Sequence, residues 1–202
     1  MTPDKKLLIL LHGYGANGMD LMPIGTYLEN ALLSLDLDYL APDAFQQCDA
    51  NPYGYQWFKL SPDKNYSYND ELSEVSKRLF LEIIQPEIDK RGMGMADVIL
   101  CGFSQGGMLA LSTTLTAKEK PLATICLSGL LVNEIKPIGD DQNNLLIMHG
   151  DRDDVLPIDF YYKTIKLLDG FGIEYEAKTY SNLGHTISQD ELNDMRIFLE
   201  NL

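Results

Sequence analysis

"VILCGFSQGG", residues 98–107, decides how the rest of the chain is read. Val98, Ile99, Leu100 and Cys101 are apolar on consecutive positions, as in a strand covered on both faces. The run then ends on Gly102-Phe103-Ser104-Gln105-Gly106, a G-x-S-x-G pattern, and "MLALSTTLTA" follows as a helical segment. A serine on so sharp a strand-to-helix turn sits in strained backbone. Side chains two positions before and after it would collide, so both positions favour glycine. The turn lifts the hydroxyl above the carboxyl ends of the strands and aims the free N–H groups of the next helix at it.

Other apolar runs flank this one: "LLILL" (7–11), "LDYLA" (37–41), "ATICLS" (123–128), "LLIMH" (145–149) and "YEAKTY" (175–180). Segments long enough for helical crossovers separate them, which predicts a parallel sheet wrapped by helices on both faces. Leu72, Val75, Leu79 and Ile83 make one apolar stripe between an Asn69-Asp70 start and an Arg91-Gly92 end, with Pro86 expected to kink or stop the helix. Ser188-Gln189-Asp190-Glu191 is a capping-box pattern opening a last helix that buries Leu192, Met195 and Leu199. Residues 43–69 are irregular and rich in aromatic residues. A connection this long either packs back on the domain or faces a substrate.

The 202 residues suit a single domain, 1–202. A formal net charge of −14 repels phosphate backbones and anionic headgroups, so nucleic acid and stable membrane association are not expected. The opening "MTPDKKLLILLHG" runs straight into His12-Gly13 and reads as a core strand rather than a signal peptide. Cys48, Cys101 and Cys126 are odd in number and irregularly spaced, which argues against a disulfide framework or a zinc site and for the cytoplasm.

A serine hydroxyl needs a base to become a nucleophile, and the base needs an orienting acid. In an α/β fold with this elbow the chain order is serine, acid, histidine. His12 precedes Ser104 and His149 leaves almost no room for an intervening acid, so His185, in "NLGHTIS", is the candidate base. "LLIMHGDRDDVLP" offers Asp151, Asp153 and Asp154 as the acid, and spacing does not choose among them. An oxyanion hole needs two N–H donors: one at Gln105, after the nucleophile, and one from the glycine-rich "LLHGYGANG".

Taken together, "LLHGYGANG", "GFSQGG", "HGDRDDVLP", "GHT" and the Trp57-Phe58 pair resemble the carboxylesterase, lysophospholipase and acyl-protein thioesterase family of α/β hydrolases. The resemblance implies an α/β-hydrolase fold whose six strands, numbered by run, take the order 2-1-3-4-5-6. It assigns the acid to Asp153 and the second hole donor to Tyr14, beside Ser104, His185 and Gln105. It implies cleavage of small or medium acyl esters or thioesters through an acyl-enzyme, with no metal and no cofactor. Substrate would be lined by Trp57, Phe58 and Leu130, the last opening the 130–139 stretch. The chain departs from the family in three ways: it lacks the usual strands before the first, Tyr14 stands where leucine is common, and Lys59 where an acid is common. The first implies a shortened sheet edge and the second a narrower or more polar acyl pocket. A peptidase or lactonase on the same scaffold, or a binding protein that kept the fold, are the competing readings.

Overall fold

The structure, a computed structural model, describes residues 5–60, 68–132, 135–139 and 144–202. Parts of the 43–69 and 130–139 stretches, 61–67 and 133–134, therefore lie outside the described residues. In chain order the strands are β1 (Lys5–Leu11), β2 (Asp36–Leu40), β3 (Gln46–Gln47), β4 (Tyr55–Gln56), β5 (Val98–Phe103), β6 (Ala123–Leu127), β7 (Leu145–Gly150) and β8 (Glu176–Tyr180). The longer helices are α1 (Met22–Ala31), α2 (Asn69–Arg78), α3 (Gln85–Arg91), α4 (Gln105–Thr116), α5 (Asp159–Phe171) and α6 (Gln189–Glu200).

Among the described residues, six strands form one sheet in the order β2-β1-β5-β6-β7-β8, all pairs parallel. This is the expected order once the small β3-β4 hairpin is set aside. The unbroken apolar runs have a simple cause. In β1, Leu7, Ile9 and Leu11 point into one core with residues of α2, α4 and α5, while Leu8 and Leu10 point into another with residues of α1 and α6. Each such side chain, fully buried, contributes roughly 1.5–3 kcal/mol. Edge strand β2 carries Asp36 and Asp38, and charge on an edge discourages pairing with another chain. Asp38 also pairs with Arg91 at 2.8 Å.

Pro86 does not stop the helix. Between α2 and α3, Leu79–Ile84 forms a wider turn in which the Gln85 N–H donates to the Phe80 carbonyl, five residues back. Pro86 then falls in the first turn of α3, where a missing N–H is harmless. The wider turn also shifts the apolar stripe by one residue. Ile84 is fully buried and Ile88 nearly so, whereas Ile83 is only half-buried. In α6 the capping box forms as expected: Ser188 N–H donates to Glu191 at 2.7 Å, and Glu191 N–H to Ser188 Oγ at 3.2 Å. Met195 and Leu199 are buried there, but Leu192 is only half-buried and Phe198 takes its place in the core.

Candidate active site

The elbow is where sequence and geometry meet most tightly. Ser104 has φ 54° and ψ −116°, a region L-residues rarely occupy, and such backbone costs about 1–3 kcal/mol. A Cβ on Gly102 would lie 2.1 Å from the Gly106 carbonyl oxygen, and one on Gly106 would lie 1.9 Å from that of Leu11. Both glycines are thus sterically required. The turn is anchored by Ser104 N–H donating to Leu127 O at 2.8 Å and by Met108 N–H donating to Ser104 O at 3.0 Å. The hydroxyl therefore sits at the amino end of α4, above β5 and β6.

His185 reaches it from the loop after β8. Its Nε2 lies 2.9 Å from Ser104 Oγ, and its Nδ1 lies 2.6 Å from Asp153 Oδ2. Nδ1 donates to the carboxylate, which leaves the Nε2 lone pair facing the hydroxyl. Asp153 is 5% exposed, and its other oxygen accepts the N–H groups of Val155 (2.9 Å) and Leu156 (2.8 Å). Of the three candidate aspartates, only this one is buried against the imidazole; Asp151 and Asp154 are exposed. Asp151 has a different task. It accepts the Asn182 N–H at 2.6 Å, while Asp151 N–H donates to Tyr180 O and Arg152 N–H to Leu183 O, each at 2.9 Å. These bonds fasten the loop of the acid to the loop of the histidine.

Close to the serine lies the Gly13–Ala16 turn. Gly13 stands so close that a Cβ there would be 3.4 Å from that of Ser104. Neither Tyr14 nor Gln105 directs its backbone N–H at a backbone acceptor among the described residues. These are the two N–H groups expected to face an oxygen developing charge beside Ser104. The Tyr14 phenol is pushed up to about 12, chiefly by burial and then by Cys48, so it brings no negative charge to this side.

The irregular 43–58 stretch holds that turn in place, a function its sequence does not advertise. Gly15 N–H donates to Tyr55 O at 2.9 Å, Tyr55 N–H to Ala16 O at 2.7 Å and the Asn51 amide to Gly15 O at 2.8 Å. The Trp57 indole donates to His12 O at 2.9 Å. The Gln105 side chain completes the link from the elbow: its Oε1 accepts Trp57 N–H at 2.9 Å and its Nε2 donates to Phe58 O at 2.7 Å.

The expected substrate contacts at Trp57, Phe58 and Leu130 meet a different placement, since these residues are 0%, 2% and 3% exposed. Phe58 stacks on Tyr68, with ring centroids 5.3 Å apart, and Leu130 joins the core on the α4 side. Phe45, Tyr55, Trp57, Phe58 and Tyr68 thus pack back on the domain, while Tyr53 is exposed. The open surface beside the serine comes from elsewhere. A cavity of about 370 Å³ is lined by Gly13, Leu21, Ile24, Phe103, His185 and Ile187, among others, with Asp20 at its edge.

The remaining histidines are buried and structural. His12 Nε2 accepts the Ala44 N–H at 3.0 Å. His149 Nε2 donates to Leu156 O at 2.8 Å and lies 3.5 Å from Asp153 Oδ2. Burial lowers the pKa of both rings and keeps them neutral. Among the described residues no group of three or more His, Cys, Asp or Glu is placed to hold a metal ion, and no helix is long and apolar enough to cross a membrane.

Such a sheet, with a serine at the elbow and a histidine and carboxylate in line, defines an α/β hydrolase. The whole chain, residues 1–202, matches the phospholipase/carboxylesterase family, and it belongs to that family as an esterase-type hydrolase. The crystal structure of esterase PE8 superposes with a TM-score of 0.88 at 33% identity, over 98% of this chain and 93% of that one. Acyl-protein thioesterase 1 of Kluyveromyces lactis is 27% identical over 98% of this chain and 92% of its own length. The Saccharomyces cerevisiae protein of the same name is 28% identical over 99% and 94%.

Proposed function

We propose that this chain hydrolyses carboxylic esters or thioesters with Ser104 as nucleophile, His185 as general base and acid, and Asp153 as the orienting carboxylate. His185 Nε2 takes the hydroxyl proton as Oγ attacks the acyl carbon. Asp153 fixes the tautomer and stabilises the imidazolium that forms. The backbone N–H groups of Tyr14 and Gln105 receive the negative charge of the tetrahedral intermediate. The alcohol or thiol departs with the proton from Nε2, and water then repeats the sequence on the acyl-enzyme.

The observation that carries this reading is the continuous hydrogen-bonded line from Ser104 Oγ through His185 to Asp153, at 2.9 and 2.6 Å. The relatives named as thioesterases and an esterase support both kinds of acyl substrate. Three free, buried cysteines support a reducing compartment, and we place the protein in the cytoplasm. The test is labelling by a fluorophosphonate probe together with Ser104→Ala. The wild type should be labelled and should turn over p-nitrophenyl butyrate. The variant should fold, resist the probe and lose on the order of 10³-fold or more in kcat. Retention of most activity by the variant would refute the assignment.

A further inference from the structure

The cavity beside His185 has a position that fixes which half of a substrate it can hold. In the proposed reaction, the group that leaves must take its proton from His185 Nε2, so it must lie on the histidine side of the acyl carbon. The cavity lies on that side. His185 and Gly13 line it, and Leu21 and Ile24 from the start of α1, Phe103 from the elbow, Ile187 from the histidine loop and Leu192 from α6 form its larger apolar walls. Phe103 stacks on the His185 ring, with centroids 4.8 Å apart, so the apolar wall is continuous with the base. Trp57, Phe58 and Leu130 take no part in it. Four separate segments thus bring larger apolar side chains to an open surface bordering His185 and Gly13, the two neighbours of the serine, where a protein without a ligand to bind would place polar ones. Among the described lining residues the one carboxylate is Asp20, which is exposed, and none is Lys or Arg.

We infer that this cavity is a leaving-group site, selective for esters and thioesters of neutral apolar alcohols or thiols of branched-alkyl or phenylalkyl size, and against leaving groups that carry phosphate. The inference rests on the proposed function and adds the half of the substrate that the enzyme recognises. About 370 Å³ accommodates a side group of that size and lies near the lower end for small-molecule pockets. An apolar group there replaces water on five hydrophobic walls. A phosphate would face Asp20 within a protein of net charge −14 and would find no Lys or Arg among the lining residues. Chemically, the scissile C–O or C–S bond breaks, the acyl group stays on Ser104 Oγ, and the departing oxygen or sulfur takes the proton from imidazolium within the cavity. The reverse step must use the same place, so an alcohol that fits should intercept the acyl-enzyme in competition with water.

The test uses acetates of ethanol, 3-methylbutanol and 2-phenylethanol, whose acidities are closely similar so that fit is what varies, and of glycerol 3-phosphate, whose hydroxyl is the more acidic leaving group and so is biased against the expected result. Because kcat/KM reports the steps through departure of the first product, it reads this site even if deacylation limits kcat. Rates are expressed per site titrated with the fluorophosphonate probe. The 3-methylbutyl and 2-phenylethyl esters should exceed the ethyl ester by about tenfold or more, and the phosphate-bearing ester should be the poorest. Ile24→Trp, which fills the cavity, should erase the preference. Leu192→Trp, at a half-buried lining position on α6, provides a second filled variant should the first not fold. Added 2-phenylethanol should yield transacylation product with the wild type and little with either variant. Equal kcat/KM across the four acetates, or a preference unchanged in the filled variants, would overturn the inference while leaving the hydrolase reading intact. Absence of both probe labelling and turnover would instead overturn the hydrolase reading, and this inference with it.

Discussion

Gln105→Leu separates the two tasks of one residue. The backbone N–H at this position survives the change, but the side-chain amide that holds Trp57 and Phe58 does not. Leucine has a similar volume, so no large cavity opens. It leaves a backbone N–H and a backbone C=O buried without partners, at about 1–3 kcal/mol each, or about 2–6 kcal/mol together. Against a typical stability of about 5–15 kcal/mol, most of the chain stays folded. The Trp57 segment also holds His12 O, and through it the Gly13–Ala16 turn that carries the Tyr14 donor. Loosening it should misplace that donor. Outright loss of one hole donor costs about 10²–10³ in kcat, so partial misplacement should cost about 10- to 100-fold, with KM changed much less. The assay is kcat and KM on p-nitrophenyl butyrate per titrated site, beside urea unfolding of the same sample. A variant that is less stable yet keeps the wild-type kcat would refute the claim that this amide positions the hole.

Three further outcomes follow from particular contacts. Asp153→Asn should lower kcat by about 10³–10⁴-fold because the amide no longer favours the Nδ1–H tautomer, whereas Asp151→Asn should remain within about tenfold of wild type; equal losses in steady-state assays would contradict the division of labour between them. Gly106→Ala should yield no soluble folded protein, judged by expression and circular dichroism, because its Cβ meets Leu11 O at 1.9 Å. Burial holds His12 and His149 below the ordinary value of 6.5, so below about pH 6.5 the unfolded chain takes up protons that the folded chain refuses. Their contribution to stability is complete above that pH and declines as pH falls through it, by up to about 1.4 kcal/mol per unit for each ring. Glu191, pushed up by burial, acts in the opposite sense, so the urea titration is best run in Glu191→Gln, which retains a capping box. A constant urea midpoint from pH 7 to 5.5 in that background would refute the prediction.

The strands could be read because parallel strands covered on both faces leave consecutive apolar residues, and the elbow because steric crowding leaves glycine little competition. What escaped reading depended on contacts between distant segments. Spacing alone leaves Asp153 level with its neighbours, and it took the family resemblance to single it out; in the structure its burial, two amide donors and His185 set it apart. The β3-β4 hairpin is two residues per strand, too short for alternation to register. Trp57 and Phe58 carry the polar chemistry of their segment on an indole N–H and backbone atoms, so an aromatic pair that looked fit for a ligand turned out to be a strut. At Pro86 the helix is interrupted rather than ended, through a one-residue widening that has no sequence mark of its own.

The bonds fastening the Asp151 loop to the Asn182 loop have a mechanical meaning. The loops of acid and base are fastened to each other, while Ser104 stands on the elbow of β5 in the same sheet. A joint shift of those two loops would lengthen the 2.9 Å contact between His185 and Ser104 while leaving the imidazole paired with its carboxylate.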